Sequence, residues 1–519
     1  MSTDLVLIAL FALAAGVALF TRRFKVPYTV ALVVVGLVLG PTSGLHAPEL
    51  TKHLLYAVFL PGLLFEAAFH MELKRLWENR WSVSALALPG VAGATCLTAL
   101  FLFSFARWFD FGSEFEILHV LVFGALISAT DPIAVVALFK SLGVPKRLAV
   151  LVEGESLIND ATSVVALSLL LGLVAGETTT VPAAAIEFLR VLGVGIAIGG
   201  LIGFVVSQII RFVDDPMIEI TATTIAAYGS FAIAETVHAS GVIATVAAGL
   251  ICGSYGARVA MTASTRIAVT SFWEYVAFAL NSIVFLLIGF QVHLDALIAS
   301  WKEIAAAFVA VTLGRAIVVM LVTALMRKTR ERFSWSWATV LTWGGLRGSL
   351  SMVLVLALPE GFAERQLLIT MTFGVVILSI FVQGLSMPFL LKKLKVLIGG
   401  ARQAEYENQR VELLAAAAAL AELEHISAQR IVHTGVTDDF GRSYRERIAR
   451  AEKALAEIEK NDGVAVVIAE ERAEISMRLL HAERDRLHAA HHSGIISAQA
   501  YRAATARIDA ELEKIPDAT

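Results

Sequence analysis

Along residues 1–395, apolar positions do not keep to one face of a helix. They run almost without interruption through each segment and stop at short polar or glycine-rich joints. A helix needs about 20 mostly apolar residues to cross a bilayer. Thirteen segments meet that requirement: 4–20, 27–45, 52–70, 82–106, 117–138, 147–175, 183–212, 217–237, 240–256, 270–291, 302–326, 335–358 and 366–391. The eighth and ninth are short and nearly continuous through "VHASG". From residue 396 the pattern changes. "ENQRVELLAAAAALAELEHI" is rich in Ala, Leu and Glu, which are strong helix formers. "SGIISAQAYRAATARIDAELEKI" turns at Ser493-Gly494 and then spaces its apolar residues as a helix does. Gly435 to Gly441 reads as a break between helices. The expected architecture is an all-α polytopic membrane protein, with a transmembrane domain over 1–395 and a helical tail over 396–519.

Charge sharpens this division. The chain is 57% hydrophobic and 17% charged, against about 25% charged in a soluble protein. Residues 401–519 alone hold 16 Lys/Arg and 21 Asp/Glu, so the first part is poorer still. Cys96 and Cys252 both fall in apolar stretches and form neither a disulfide framework nor a metal site. Arg22, Arg23 and Lys25 follow the first apolar run instead of preceding it, which argues against a cleaved signal peptide. With the N-terminus outside, the inner loops carry nineteen Lys/Arg and the outer loops only Lys52, Arg107, Lys302 and Arg365. Basic residues concentrate on the cytoplasmic side, so the tail is expected in the cytoplasm. Six of the twelve histidines lie in it (His425, His433, His481, His488, His491, His492). They read either as exposed residues on a solvated helix or as a pH sensor, since histidine titrates near neutrality.

Against this apolar background the sixth span is unusual. "VEGESLINDATSVVALSLLLG" carries Glu153, Glu155, Asn159 and Asp160. An ionisable residue at the bilayer centre costs at least about 2.5–3.5 kcal/mol and usually marks an ion path. At 3.6 residues per turn, Ser156 and Asp160 share one face, and Glu155 and Asn159 the next. The fifth span, "GALISATDPIAVVALF", has Thr130, Asp131 and Pro132 near its middle. Proline breaks a helix by removing a donor and crowding the preceding turn, and a break at membrane depth is tolerated only around a protected cavity. Spans five and six run in opposite directions, so Asp131 and Asp160 are expected at one depth. The twelfth span, "TVLTWGGLRGSLSMVLVLALP", sets Gly344, Gly345 and Gly348 around Arg347 and predicts a second break. It lies seven spans after the fifth, and an odd offset reverses direction. Spans 1–6 are thus expected to repeat, inverted, as 8–13. Interrupted segments in matching halves point to a transporter's binding site. Glu66 in span three, Asn281 in span ten and Arg315 in span eleven complete the polar set. Glu66 and Glu153 also read as solvated residues near the inner ends of their spans. Arg315 and Arg347 read as charge balance for the buried acids, with Glu155–Arg315 the preferred pair and Glu155–Arg347 the second choice.

"SATDPIAVVALFKSLGVPKRLAVLVEGESLINDATSVV" resembles the signature region of the monovalent cation/proton antiporter-1 family, the NhaP-type and eukaryotic sodium/proton exchangers. "FLPGLLFEAAF" and "TWGGLRGSLSMVLVLALP" are similar to the family's other two hallmark segments, in the same order. The resemblance covers about residues 5–395. It departs at Gly62, where the family often has a second proline, and a looser kink before Glu66 is expected there. The resemblance implies a thirteen-helix, NhaA-like fold with a dimerisation domain and a mobile core, and a homodimer. It implies exchange of Na+ or Li+ for H+, with no cofactor, no enzymatic activity and no nucleic-acid partner. The family's Asn-Asp pair falls on Asn159 and Asp160, its unwound Thr-Asp on Thr130 and Asp131, its hydroxyl near the ion on Ser156, its span-three acid on Glu66, and its buried ion pair on Glu155 and Arg315.

The residues alone fit that chemistry. Asp160, the Thr130 and Ser156 hydroxyls, carbonyls freed by the break, and water reached by Glu66 are oxygen donors suited to a hard cation such as Na+. Burial penalises a bare carboxylate, and a proton or a cation relieves the penalty, so the two compete for one group. An intramembrane aspartyl protease also pairs two aspartates but needs neither the second break nor the arginines. A channel needs no carboxylate that alternates between proton and cation. K+/H+ exchange is the alternative within the same class.

Overall fold

The computed structural model describes residues 3–24, 28–42, 55–109, 116–176, 181–291, 294–329, 331–396, 401–428 and 434–459, and short runs between 475 and 512. The regular structure of the described residues is helical, with α-helices α1 Thr3–Phe24, α2 Tyr28–Thr42, α3 Leu60–His70, α4 Leu73–Glu78, α5 Arg80–Ala87, α6 Pro89–Trp108, α7 Ile117–Ser128, α8 Ile133–Leu142, α9 Lys146–Val174, α10 Val181–Ile210, α11 Pro216–Thr236, α12 Gly241–Ile251, α13 Ala263–Gln291, α14 Leu294–Ala299, α15 Trp301–Met326, α16 Trp335–Trp343, α17 Ser349–Leu356, α18 Arg365–Leu378, α19 Leu385–Lys393, α20 Ala401–Ala428, α21 Thr434–Glu459 and α22 Ala498–Leu512. Eight helical stretches are long and apolar enough to cross a membrane, five of them within a single helix and three running through the consecutive pairs α5–α6, α7–α8 and α18–α19. Shorter apolar helices at Ile8–Thr21, Ala31–Gly40, Tyr56–His70 and Gly241–Ala257 coincide with four more of the expected segments. The segment 335–358 is split into α16 and α17.

Two groups of helices form the membrane part. In one, α2 lies along α13, α10 along α12, and α3 against α12 and α13. Small residues let these backbones approach. A β-carbon on Gly36 would meet the Gly289 Cα at 2.8 Å, and one on Gly203 would meet the Ala248 carbonyl at 2.9 Å. The core of this group is Phe65, Phe69 and Trp273, with the Phe65 and Trp273 rings 4.6 Å apart. Gly62 belongs to the same close packing. A β-carbon there would meet Leu280 Cδ1 at 2.7 Å and the Tyr228 hydroxyl at 3.0 Å. Glycine at this position therefore lets α3 approach its neighbours closely. In the other group, α6 lies along α15 and α7 against α6 and α9. There Gly314 leaves room for Thr98, and Gly124 for Thr95.

Contacts divide the chain into a first compact unit, Met1–Ser141 with Lys146–Val396, and a second, Leu142–Pro145 with Leu397–Thr519. Within the tail, α20 packs on α21 through Tyr406, Leu413 and Leu455. Gly435 to Gly441 lies inside α21, which begins at Thr434, so no break occurs there. Packing on α20 offsets the roughly 1 kcal/mol that each helical glycine costs relative to Ala. The side chains of the six tail histidines lie outside the described residues.

Candidate functional site

The two expected interruptions occur and meet. Between α7 and α8, residues 129–132 leave the helix. Between α16 and α17, residues 344–348 do the same. At the crossing, the Asp131 amide donates to the Leu346 carbonyl at 2.8 Å, and the Ser351 hydroxyl donates to the Ala129 carbonyl at 3.2 Å. A β-carbon on Gly348 would run into Asp131, and one on Gly345 into the Arg315 guanidinium. Glycine is therefore what lets the second break close over the first.

Each freed helix end has a partner. One Asp131 carboxylate oxygen accepts from the Ile133 amide at 3.0 Å and so caps the start of α8, and Pro132 just before it has no amide to satisfy. At the end of α7, the Ser128 carbonyl accepts from Arg347 Nη1 at 2.7 Å and from Asn159 Nδ2 at 2.8 Å. Near the end of α16, the Leu341 carbonyl accepts from Arg315 Nη2 at 2.9 Å. Arg315 also forks onto Glu155, Nη1 to Oε1 at 2.9 Å and Nη2 to Oε2 at 2.8 Å. Arg347 reaches a main-chain carbonyl, so the structure pairs Glu155 with Arg315.

On α9 the expected faces separate as the helical spacing requires. Ser156 donates to the Thr130 carbonyl at 2.5 Å and accepts from the Thr130 hydroxyl at 3.2 Å. Asp160, on the same face, has a buried Oδ1 with no hydrogen-bond partner. Asn159 turns toward the broken backbone: its amide donates to the Ser128 carbonyl at 2.8 Å and to the Thr130 hydroxyl at 3.2 Å, and its oxygen accepts from Ser163 at 3.0 Å. A cavity of about 370 Å³ collects Thr130, Asp131, Ser156 and Asp160 with Glu66, Glu153 and Asn281. Asn159, Glu155, Arg315 and Arg347 do not line it.

The cavity also contains two residues that the sequence reading passed over. His70 Nδ1 lies 3.2 Å from Glu66 Oε1 and 3.0 Å from the Glu66 carbonyl, while its Nε2 lies 3.8 Å from Glu274 Oε1. The spacing of Glu66 and His70, four apart on a helix, was a usable signal. Glu274 gave none, being in the first turns of a span with no partner nearby in sequence. A second cavity, of about 460 Å³, lies beyond Asp160 along α9. Val164 and Ser168 line it with Tyr56, Glu187, Glu235 and His238. Among the described residues no group of three or more His, Cys, Asp or Glu is placed to hold a metal ion.

Interrupted helices crossing over a partly buried carboxylate, within a bundle of apolar helices, define an all-helical, multi-pass membrane protein with a polar site at its centre. The transmembrane sodium/hydrogen exchanger family matches residues 6–393, and the chain belongs to that family. It is 40% identical over 407 residues to the Na(+)/H(+) antiporter ApNhaP of Aphanothece halophytica, covering 78% of this chain and 76% of that one. It is 40% identical over 344 residues to the Na(+)/H(+) antiporter NhaP of Pseudomonas aeruginosa, covering 65% and 80%. In structure it is similar to the sodium proton antiporter MjNhaP1 of Methanocaldococcus jannaschii, with a TM-score of 0.63 at 20% identity over 76% of this chain and 99% of that one.

Proposed function

We propose that this chain is a secondary antiporter that exchanges Na+ or Li+ for H+ by alternating access, one for one, and so serves cytoplasmic pH and sodium homeostasis. The observation that carries the reading is Asp160, whose buried Oδ1 has no protein partner yet borders a cavity lined also by Thr130 and Ser156 at the broken helix. A charged oxygen without a partner is costly in such a place. A proton or a cation relieves that cost, and because each excludes the other, cation binding releases the proton. Asp160, Thr130 and Ser156 would hold the cation, with Glu66 reaching it through water. Asp131 would keep the break open as the cap of α8, and Asn159 would brace the carbonyl of Ser128. The second cavity, one turn of α9 beyond Asp160, suits access from the opposite side. The antiporter relatives have Na+ in their names, which favours Na+ over K+.

The same reading takes the eight long helical stretches, the four shorter ones and the split pair α16–α17 as thirteen crossings of an NhaA-like fold with inverted repeats. Residues 1–395 form the exchanger and 396–519 a regulatory or structural tail. The chain would work as a homodimer in the cell's inner membrane, its N-terminus outside and its tail in the cytoplasm. The test uses everted vesicles holding a quenched pH dye. Adding Na+ or Li+ should dequench the dye, and K+ should not. No response to any of the three ions overturns the proposal.

A further inference from the structure

Glu66, His70 and Glu274 meet at the cavity that contains Asp160, and all three line it. Glu66 and His70 stand four residues apart on α3 and so share one face. The His70 Nδ1 lies 3.0 Å from the Glu66 carbonyl and 3.2 Å from Glu66 Oε1. A carbonyl oxygen can only accept, so Nδ1 carries a proton in either charge state of the ring. Nε2 is therefore the nitrogen that titrates, and it faces Glu274 Oε1 of α13 at 3.8 Å. The ring also packs edge-on against Phe69, with centroids 5.7 Å apart. The side chains of His70 and Glu66 are 32% and 21% exposed, so neither is fully screened by solvent.

The two charge states of the ring act differently on Glu66. A neutral imidazole offers its carboxylate an ordinary hydrogen bond. An imidazolium lies between two carboxylates, and its bond to Glu66 becomes a charge-assisted one, about twice as strong. Among the described residues, the elements packed on α3 bring no competing cation to this place. From α9 come Glu153 and Asp160, and from the first break Asp131, all of them acids that line the same cavity. On α12 there is no titratable side chain. Glu219, Tyr228 and Glu235 of α11 do not line the cavity, nor do Tyr275 of α13, Tyr56 before α3 and Tyr255 after α12. Just beyond α3, Glu72 and Arg75 pair with each other at 2.7 Å. Lys74 and Arg266 also stay off the cavity wall, and each has an interaction of its own. Five acids thus line the cavity, and His70 is the one described side chain lining it that can become a cation.

We propose that His70 is a positioning residue for Glu66: when charged it holds that carboxylate at the cavity wall, and when neutral it releases it toward the cation at Asp160. The inference rests on the exchange proposed above. The protonated ring and the arriving cation compete for one carboxylate. Acid pH therefore weakens cation binding twice, once at Asp160 itself and once through the hold on Glu66. The second effect belongs to His70 and can be removed without altering Asp160.

The experiment measures exchange by the whole protein in proteoliposomes over a range of Na+ concentrations, at about pH 6 and about pH 8.5, on either side of the ordinary histidine range. His70→Gln keeps an N–H donor but no charge. It should lower the ratio of KM at pH 6 to KM at pH 8.5 by about two- to fivefold, the range that a partly exposed ion pair supports. The change should fall on KM and not on the maximal rate. His70→Lys keeps a charge at both pH values and should raise KM at pH 8.5 by a similar factor. In a Glu66→Gln background, His70→Gln should leave the ratio where it was. If His70→Gln fails to fold, His70→Lys decides, and if Glu66→Gln stops exchange, the single His70 variants decide. An unchanged ratio overturns the proposal. So does a change in KM that is equal at the two pH values, which means a merely structural role. A shift that persists in the Glu66→Gln background also overturns it, because His70 then acts on the cation by charge alone. Absence of exchange in the wild type overturns the antiporter reading itself, and this inference with it.

Discussion

Arg347 donates to the carbonyl of Ser128 at 2.7 Å, although the two residues stand 219 positions apart. The chain unwinds at Ala129, so that carbonyl receives no amide from the next turn. A buried cation meets it instead, at the negative end of the half-helix α7. Arg315 serves α16 in the same way through Leu341. Each broken helix thus ends on an arginine from elsewhere in the chain, α7 on Arg347 of the second interruption and α16 on Arg315 of α15.

Removing that cap should cost stability. A hydrogen bond to a charged group contributes about 1.5–3 kcal/mol, and a stranded buried carbonyl adds to the loss. Arg347→Gln should lower the melting temperature in detergent clearly more than a surface Arg→Gln control such as Arg211→Gln. Equal melting of the two variants would show that Ser128 is satisfied without Arg347.

Glu155 and Arg315 should be coupled. Breaking a buried pair by removing one partner costs about 3–5 kcal/mol, because the other charge is stranded. Glu155→Ala and Arg315→Ala should each be strongly destabilised, and the double variant less than their sum. Melting curves of the four proteins give the coupling. Simple additivity would mean that the fork in the structure contributes nothing of its own.

Asp160→Asn should abolish exchange and leave the protein folded. The amide keeps the volume of a side chain whose Oδ1 has no partner, but it cannot alternate between proton and cation. Exchange above about a tenth of wild type, a barrier change of only ~1.4 kcal/mol, would remove Asp160 from the role of carrier.

One carboxylate from the Asn-Asp pair faces the cavity, since Asn159 is turned toward Ser128 and Ser163. Asp131 commits an oxygen to capping α8. One cation should therefore displace one proton, and exchange should be electroneutral. A carrier that moved one net charge would feel about 2.3 kcal/mol per 100 mV. In proteoliposomes with a Na+ gradient and a K+/valinomycin clamp, the imposed potential should leave the final proton gradient unchanged. A shift would give Asp131 or Glu66 a second proton.

In the tail, Arg447 Nε bonds Glu412 Oε1 at 2.8 Å, and the guanidinium holds that carboxyl below its usual range. A carboxyl that is more acidic in the folded state adds stability above its unfolded titration range. The contribution fades as pH falls through the lowered folded range. The pair is exposed, so the effect is small. Hydrogen exchange over 401–428 and 434–459 of the whole protein should quicken slightly at acid pH, and less so in Glu412→Gln. An identical acid response in the two proteins would show that the pair does not hold α20 to α21.

The two interruptions were legible because proline and clustered glycine act on the backbone itself. Pro132 and the glycines around Arg347 mark where a helix cannot continue, whatever surrounds them. The Glu155–Arg315 fork was legible as charge balance, since two opposite charges in lipid need each other. The target of Arg347 was not legible, because a main-chain carbonyl has no side-chain signature. The same is true of Asn159, whose type suggests a ligand but whose amide braces the backbone. Gly435 to Gly441 misled because glycine reports local cost, while contact with α20 decides the outcome. The packing of Gly62 against Leu280 and Tyr228 was not legible either, since only the assembled bundle supplies it.

The bond from the Asp131 amide to Leu346 has a mechanical consequence. It pins two helices at the one place where each is weakest, and Ser351 adds a second fastening beside it. Two flexible joints fastened to each other lose most of their independent freedom. A thrust on α8 or α17 then reaches the opposite strut before it can reshape the oxygens around Asp160. In the proposed exchange the cation would ride in a rigid cradle, and the yielding would occur elsewhere, at the seam between the two groups of helices.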